Sequence, residues 1–397
     1  MIKKIISSIL IQSLGTVASF ATVWFVTYKY GVSAQGDFAL IKSWVDLLVV
    51  IGCFGFPQSF AYSINKSSVN IDVLKGFSVV YSSVNFLLFL GLTIIWCRIN
   101  AIQNTAVFYI SITAAILVLH GLFRGIYLTI NDSNKFAILS IIPSLSLFIG
   151  FQFNFSGQLD LSNVYLISTV FVLISSILYL SKIKTSYKVK SVKWRGMVLD
   201  GFNVFMQSIA IALVPMISFS YLNKSGLSGT EIGSLSIANY FYLAFSMPLN
   251  MISPILFNTW MKSNRAIKKT DLLLLFMFGI GVFVFSCLSI YLLPNLLAVM
   301  VLHDDVRLIY KAASILMLSA SPLFLAKIIG AYLQARGMFF YVTVSYIIKM
   351  VVCLLLLFFA RKLSVVSVSY AWLFGDIVLF VVLLIGIFMV GKRDAYA

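Results

Sequence analysis

Polar and apolar positions along this chain do not alternate with a short period. Apolar residues come in long runs separated by brief polar stretches. A run of about 20 residues crosses ~30 Å of hydrocarbon. Inside lipid each backbone amide must be satisfied within its own segment, so such runs must be helices. A β-barrel would show shorter, alternating segments. The pattern predicts an all-α integral membrane protein with about twelve transmembrane helices. Their apolar cores fall at residues 6–27, 37–62, 76–97, 105–130, 136–155, 161–181, 197–221, 232–257, 271–293, 308–333, 340–360 and 366–390. Lys3 and Lys4 precede a first run longer than a signal-peptide core, so it is expected to remain as the first span.

The longest hydrophilic connection, residues 182–196, carries Lys182, Lys184, Lys188, Lys190, Lys193 and Arg195 and no acid. It divides the chain into an N-terminal six-helix bundle (1–181), a basic linker (182–196) and a C-terminal six-helix bundle (197–397). The halves look related. Ala34-Gln35-Gly36 opens span two, with Pro57 following 21 residues after Gly36. Glu231-Ile232-Gly233 opens span eight, with Pro254 following 21 residues after Gly233. Both glycines and both prolines are therefore 197 positions apart. Six spans per half make the repeat parallel, a known transporter plan with substrate handled between bundles. Prolines within spans (Pro57, Pro143, Pro215, Pro248, Pro254, Pro322) bend helices, with or without a gating role.

Composition agrees: 61% of the 397 residues are apolar and 10% charged, with a mean hydropathy of +1.03. A soluble domain needs about 25% charge to cover its surface. The net charge of +17 resolves into a topology signal. With both termini in the cytoplasm, eighteen of the 29 Lys and Arg fall on that side and six on the other, as the positive-inside rule requires. No aromatic-interleaved basic patch suggests a nucleic acid partner. The membrane's anionic lipids suit the basic linker. The four cysteines are scattered singly, without metal-ligand spacing, and read as small buried hydrophobes.

Charges inside spans are the most informative positions, because each costs roughly 2.5–3.5 kcal/mol at the bilayer centre. Lys42 and Asp46 are four apart in span two, on one helix face. His120 and Arg124 have the same spacing in span four. Lys327, Lys349 and Asp376 lie in spans ten, eleven and twelve. Each has a structural reading. Lys42 can pair with Asp46 or snorkel outward, and Arg124 and Lys327 can snorkel to the cytoplasmic interface. His120 can be a hydrogen-bonded interior residue, and Lys349 can pair with Asp376. The functional reading starts from the balance, which is cationic. Lys42, Arg124, Lys327 and Lys349 would bind an anionic cargo such as a pyrophosphate, with Asp46, His120 and Asp376 pairing those charges or relaying a proton. Gln12, Gln58, Asn85, Asn203, Gln207, Asn239, Asn250 and Asn258 would complete a sugar-handling wall, or else join helices.

The chain has no GxxxxGK[ST] phosphate loop, no paired carboxylates, no metal-ligand cluster and no nucleophile elbow, so neither ATP hydrolysis nor hydrolase chemistry is expected and no cofactor is called for. Glu231 is the only glutamate, and the first span holds no carboxylate.

The segment Tyr30-Gly31-Val32-Ser33-Ala34-Gln35-Gly36-Asp37-Phe38-Ala39-Leu40, followed by Gly52-Cys53-Phe54-Gly55-Phe56-Pro57-Gln58, resembles the Wzx O-antigen flippases. These belong to the superfamily that also holds the multidrug and toxin extruders. Glu231-Ile232-Gly233-Ser234-Leu235-Ser236-Ile237-Ala238-Asn239 looks like that family's second-half equivalent. The resemblance implies two six-helix bundles in a V, alternately open to each side of a bacterial inner membrane. It implies a cargo of oligosaccharide on undecaprenyl pyrophosphate, moved outward for O-antigen lipopolysaccharide, beside an O-antigen polymerase and a chain-length regulator. It also implies ion-gradient coupling. The multidrug branch places coupling carboxylates in the first span, and this chain departs from it there. Two rivals remain: an integral-membrane O-antigen polymerase or ligase, and an ion-coupled small-molecule exporter of the same superfamily. The polymerases and ligases carry a long periplasmic loop, whereas the longest outward loop expected here, residues 294–307, holds only His303, Asp304, Asp305 and Arg307 as candidate chemistry.

Overall fold

The computed structural model describes residues 2–57, 59–60, 71–129, 133–154, 159–181, 194–263, 269–300, 306–360 and 362–396. Gln58, the linker residues 182–193 and residues 303–305 lie outside them. Among the described residues all regular structure is helical. Ile2–Cys53 is one helical run broken at Gly31, whose φ of 89° and ψ of 168° admit little but glycine. Its arms are α1 (residues 2–30) and α2 (residues 32–53). There follow α3 (Ile71–Ile99), α4 (Thr105–Thr129), α5 (Ser133–Gln152), α6 (Leu161–Leu180), α7 (Trp194–Lys224), α8 (Gly229–Ser263), α9 (Lys269–Met300), α10 (Val306–Ala335), α11 (Phe339–Phe358) and α12 (Val365–Tyr396). Nine of these, among the described residues, are long and apolar enough to cross a membrane. The chain is an all-helical, multi-pass membrane protein.

The helices depart from the expected spans in two places. Span two was expected to run to residue 62, but α2 stops at Cys53, where Phe54 (φ 44°) and Gly55 (φ 70°) break it before a short helical stretch resumes. Span nine was expected to end at 293, but α9 continues through Pro294 to Met300. The apolar Leu296, Leu297 and Ala298 let it go on, and the expected outward loop is shorter by that much. Elsewhere helices such as α7 and α12 outrun their apolar cores, because hydropathy marks the hydrocarbon width and not the helix length.

Two compact units form. The first takes Met1–Val26 and Leu40–Ala212, and the second takes Thr27–Ala39 and Leu213–Ala397. In the first, α4 is central and packs against α3, α5 and α6. Its span is 67% buried. Tyr109, Ile110, Ala114, Ala115, Leu122 and Phe123 supply an apolar surface on several faces, the mark of an enclosed helix. Buried serines largely satisfy themselves, as when Ser78 donates to the Leu74 carbonyl at 2.8 Å and Ser168 to that of Val164 at 2.7 Å. Others join helices: Thr113 meets Thr169 at 2.7 Å, and Ser19 donates to Ser144 at 3.0 Å. Asp160 caps α6 by accepting from the amides of Ser162 (3.0 Å) and Asn163 (3.2 Å).

In the second unit α10 is the enclosed helix, 72% buried, against α8, α9, α11 and α12. By contrast α9 is 17% buried and turns Phe278, Ile280, Phe285 and Tyr291 outward. Trp372 Nε1 donates to Ser218 Oγ at 3.1 Å, and Tyr341 OH to the Val382 carbonyl at 2.6 Å. Such interhelical bonds contribute about 0.6 kcal/mol each in a membrane. The start of α8 carries a capping box, in which the Ser228 amide donates to Glu231 Oε2 (3.0 Å) and the Glu231 amide to Ser228 Oγ (3.3 Å).

The two repeated motifs meet in this unit, where the start of α2 crosses the start of α8. A Cβ on Gly36 would lie 2.3 Å from the Gly229 carbonyl oxygen, and one on Gly233 would lie 1.8 Å from that of Val32. A shift of 197 residues turns Val32 into Gly229 and Gly36 into Gly233, so the two contacts exchange with one another. That reciprocity is the signature of a local pseudo-twofold axis. Only glycine allows backbones this close. Gln35 Nε2, buried in the crossing, donates to Ser236 Oγ at 2.9 Å.

Candidate functional site

The sequence candidates fall into three groups. On α2, Lys42 Nζ pairs with Asp46 Oδ2 at 2.5 Å. The side chains keep 30% and 54% exposure, so the pair is partly open, and a pair of this kind contributes little.

The second group lies in the first unit on α4. His120 is buried, its Nε2 2.7 Å from the Leu139 carbonyl and its Nδ1 2.8 Å from Ser176 Oγ. The neutral ring satisfies this network, with Nε2–H donating to the carbonyl and Nδ1 accepting from the hydroxyl, an assignment made from the bonding pattern. Both ring nitrogens are therefore engaged within the bundle, to α5 and α6. One turn further along, Arg124 has a different situation. Its Nε is enclosed and has no hydrogen-bond partner among the described residues. Its guanidinium carbon sits 5.1 Å from the centre of the Phe136 ring, a cation–π contact of roughly 0.5–2 kcal/mol. One more buried polar atom on neighbouring α3, Ser82 Oγ, also has no partner among the described residues. An unsatisfied buried donor costs about 1–3 kcal/mol, and more when charged. This region carries positive charge and donor capacity that the described protein does not use. Gly125 brings α4 against Pro57, since a Cβ there would lie 2.6 Å from Pro57 Cα.

The third group lies in the second unit. Lys349 Nζ on α11 pairs with Asp376 Oδ1 on α12. Asp376 Oδ2 accepts from Tyr242 OH on α8 at 2.7 Å and from Ser319 Oγ on α10 at 2.5 Å. Asp376 is fully buried, whereas the Lys349 side chain keeps 13% exposure. Lys327 on α10 lies close enough to interact electrostatically with both. Gly375 makes the approach possible, because a Cβ there would fall 2.2 Å from Cys353 Sγ and 3.5 Å from Lys349 Cγ. Four helices thus converge on one carboxylate. Tyr242 and Ser319 were not singled out from the sequence. They stand 134 and 57 positions from Asp376, and their one local signal is that Ser319 lies two helical turns before Lys327 on α10.

No family model matches the chain, and no curated protein matches it. Solved structures do. An inward-facing multidrug resistance MATE family transporter of the MOP superfamily superposes with a TM-score of 0.72 at 11% identity, covering 97% of each chain. The lipid II flippase MurJ, in an inward closed conformation, gives 0.75 at 16% identity, covering 95% of this chain and 86% of that one. The Vibrio cholerae MATE transporter VcmN in its bent form gives 0.67 at 13% identity, over 99% and 97%. The chain has the MATE and MurJ fold. At these identities the likeness is one of architecture. Within this fold the chain's own side chains set what it can bind: an arginine whose Nε has no hydrogen-bond partner among the described residues in the first unit, and a carboxylate shared by lysine, tyrosine and serine in the second.

Proposed function

We propose that this protein is a flippase that moves an oligosaccharide carried on undecaprenyl pyrophosphate from the cytoplasmic to the periplasmic leaflet of a bacterial inner membrane. It works by alternating access, with both termini in the cytoplasm, and supplies O-antigen or a related surface polysaccharide to a polymerase and its chain-length regulator. The observation that carries the reading is Arg124. A half-buried arginine whose enclosed Nε has no hydrogen-bond partner among the described residues, on the central helix of a membrane bundle, is costly unless an anion comes to it. Lys327 and Lys349 supply further positive charge in the second unit, and Lys42 does so on α2. Asp46 and Asp376 pair with Lys42 and Lys349, and His120 ties α4, which carries Arg124, to α5 and α6. The Wzx-like motifs and a fold shared with a lipid II flippase support a lipid-linked cargo.

The test is charge removal at Arg124. A charged hydrogen bond of about 1.5–3 kcal/mol implies a ten- to hundred-fold loss of flux in Arg124→Ala. Arg124→Lys, which keeps the charge but loses the planar fork, should recover part of it. Surface polysaccharide intact at normal protein level in Arg124→Ala would remove the support. The ion-coupled exporter is the second reading, favoured by the fold shared with MATE transporters. It predicts altered drug tolerance on deletion, with surface polysaccharide unchanged.

A further inference from the structure

The bonding around Asp376 is suited to two protonation states. Its oxygens face three donors, and two of them, Tyr242 OH and Ser319 Oγ, are hydroxyls that can donate or accept. An ionised Asp376 receives all three. A protonated Asp376 can donate from Oδ2 to one hydroxyl while the other still donates to it, so Oδ2 stays satisfied in the neutral acid and only Oδ1 gives up the donor that Lys349 supplied. A carboxylate held by backbone amides would have no such alternative. The two partners of the ion pair also differ in access: Asp376 is sealed, and Lys349 keeps an open edge. A buried carboxylate cannot stay charged once its cation leaves, because an uncompensated charge in low dielectric neutralises itself. The titratable or charged groups that face Asp376 are Tyr242 from α8, Lys327 from α10, and Tyr346, Lys349 and Cys353 from α11.

We infer that Lys349 exchanges between Asp376 and the anionic cargo, and that Asp376 takes up one proton while Lys349 is away. This rests on the flippase reading and adds its coupling chemistry. The ammonium keeps its charge throughout. The proton enters from water on binding and leaves when Lys349 returns, so one proton is bound with each cargo. Lys349, not Asp376, touches the cargo, and Asp376 is a positioning residue.

The experiment is infrared difference spectroscopy on the purified full-length protein in nanodiscs, with farnesyl diphosphate as the probe. Binding to the wild type should produce one carboxylic-acid carbonyl band per protein, absent in Asp376→Asn. Lys349→Met should show the band without probe. Asp376→Asn should bind the probe up to ten-fold tighter, since Lys349 no longer has a competing partner, whereas a merely structural ion pair predicts weaker binding. Probe binding to the wild type with no band overturns the exchange, whether because Lys349 stays or because Lys327 takes its place, and leaves the flippase reading standing. Failure of the wild type to bind the probe contradicts the flippase reading itself, and the exchange falls with it.

Discussion

Gly233→Ala is the substitution whose cost follows most directly from the geometry. The added Cβ would lie 1.8 Å from the Val32 carbonyl oxygen, 2.8 Å from its carbon and 2.9 Å from Val32 Cγ1. Ordinary contact begins near 3.4 Å, so the two helix starts must part by about 1.6 Å. No rotamer change relieves this, because the first two atoms are backbone. The same separation would stretch the Gln35–Ser236 bond from 2.9 Å beyond hydrogen-bonding range. Overpacking costs about 1–3 kcal/mol and the lost bond about 0.5–1.5 kcal/mol. The gain in helix propensity, up to about 1 kcal/mol, offsets part of that. A net loss of about 1–3 kcal/mol is expected. Gly281→Ala is the control, because its Cβ meets nothing within 4 Å and only the propensity gain remains. Both variants can be compared by SDS-induced unfolding in mixed micelles. Gly36→Ala should behave like Gly233→Ala, as the reciprocal contact requires. Equal stability of Gly233→Ala and Gly281→Ala would refute the crossing and the local twofold drawn from it.

Other outcomes follow from single sites. His120→Ala removes the partner of Ser176 and of the Leu139 carbonyl and should destabilise by about 1–3 kcal/mol on the same unfolding assay; among molecules that remain folded, flux should be little changed, since both ring nitrogens serve the bundle. The double change Lys42→Met with Asp46→Leu should shift stability by less than about 1 kcal/mol, as measured by the same unfolding titration, because the pair is partly exposed. Asp160→Ala should cost α6 about 1 kcal/mol, largely recovered in Asp160→Ser. The Ser162 hydroxyl and the amides of Ser162 and Asn163 hold the Asp160 carboxyl below the usual carboxylate range. Its folded value is the lower one, so its contribution is present above the ordinary value near 4 and is lost as pH falls through the folded value. A pH series of the unfolding titration should show that acid-side loss in the wild type and not in Asp160→Ala.

Much of the fold was legible in the chain. Long apolar runs fix helices because lipid leaves the backbone no alternative, and α3, α6 and α10 fall close to where hydropathy put them. Pro57 marked a bend in span two, but not that the helix would stop at Cys53 and break at Phe54–Gly55 before the proline is reached. The Gly36 and Gly233 motifs were visible as a repeat, but a repeat does not say that its copies touch. Of the charges, Lys42 with Asp46 could be read from helical spacing alone. Lys349 with Asp376 could be suggested from adjacent spans. The convergence of Tyr242 and Ser319 on Asp376 could not, because it depends on how α8 and α10 rotate against α12. Nor could the enclosure of Arg124 Nε, which depends on packing against α5 and on which groups fail to reach it.

The central claim is that this protein carries lipid-linked sugar repeats across the membrane, and surface lipopolysaccharide resolved on a gel tests it most directly. The gene is deleted from its own host and then restored. The account predicts loss of both the polymer ladder and the band of core bearing a single repeat, with both returning on restoration, because no repeat reaches the periplasm without the protein. A deletion strain that keeps the single-repeat band and loses only the ladder would identify a polymerase and contradict the account.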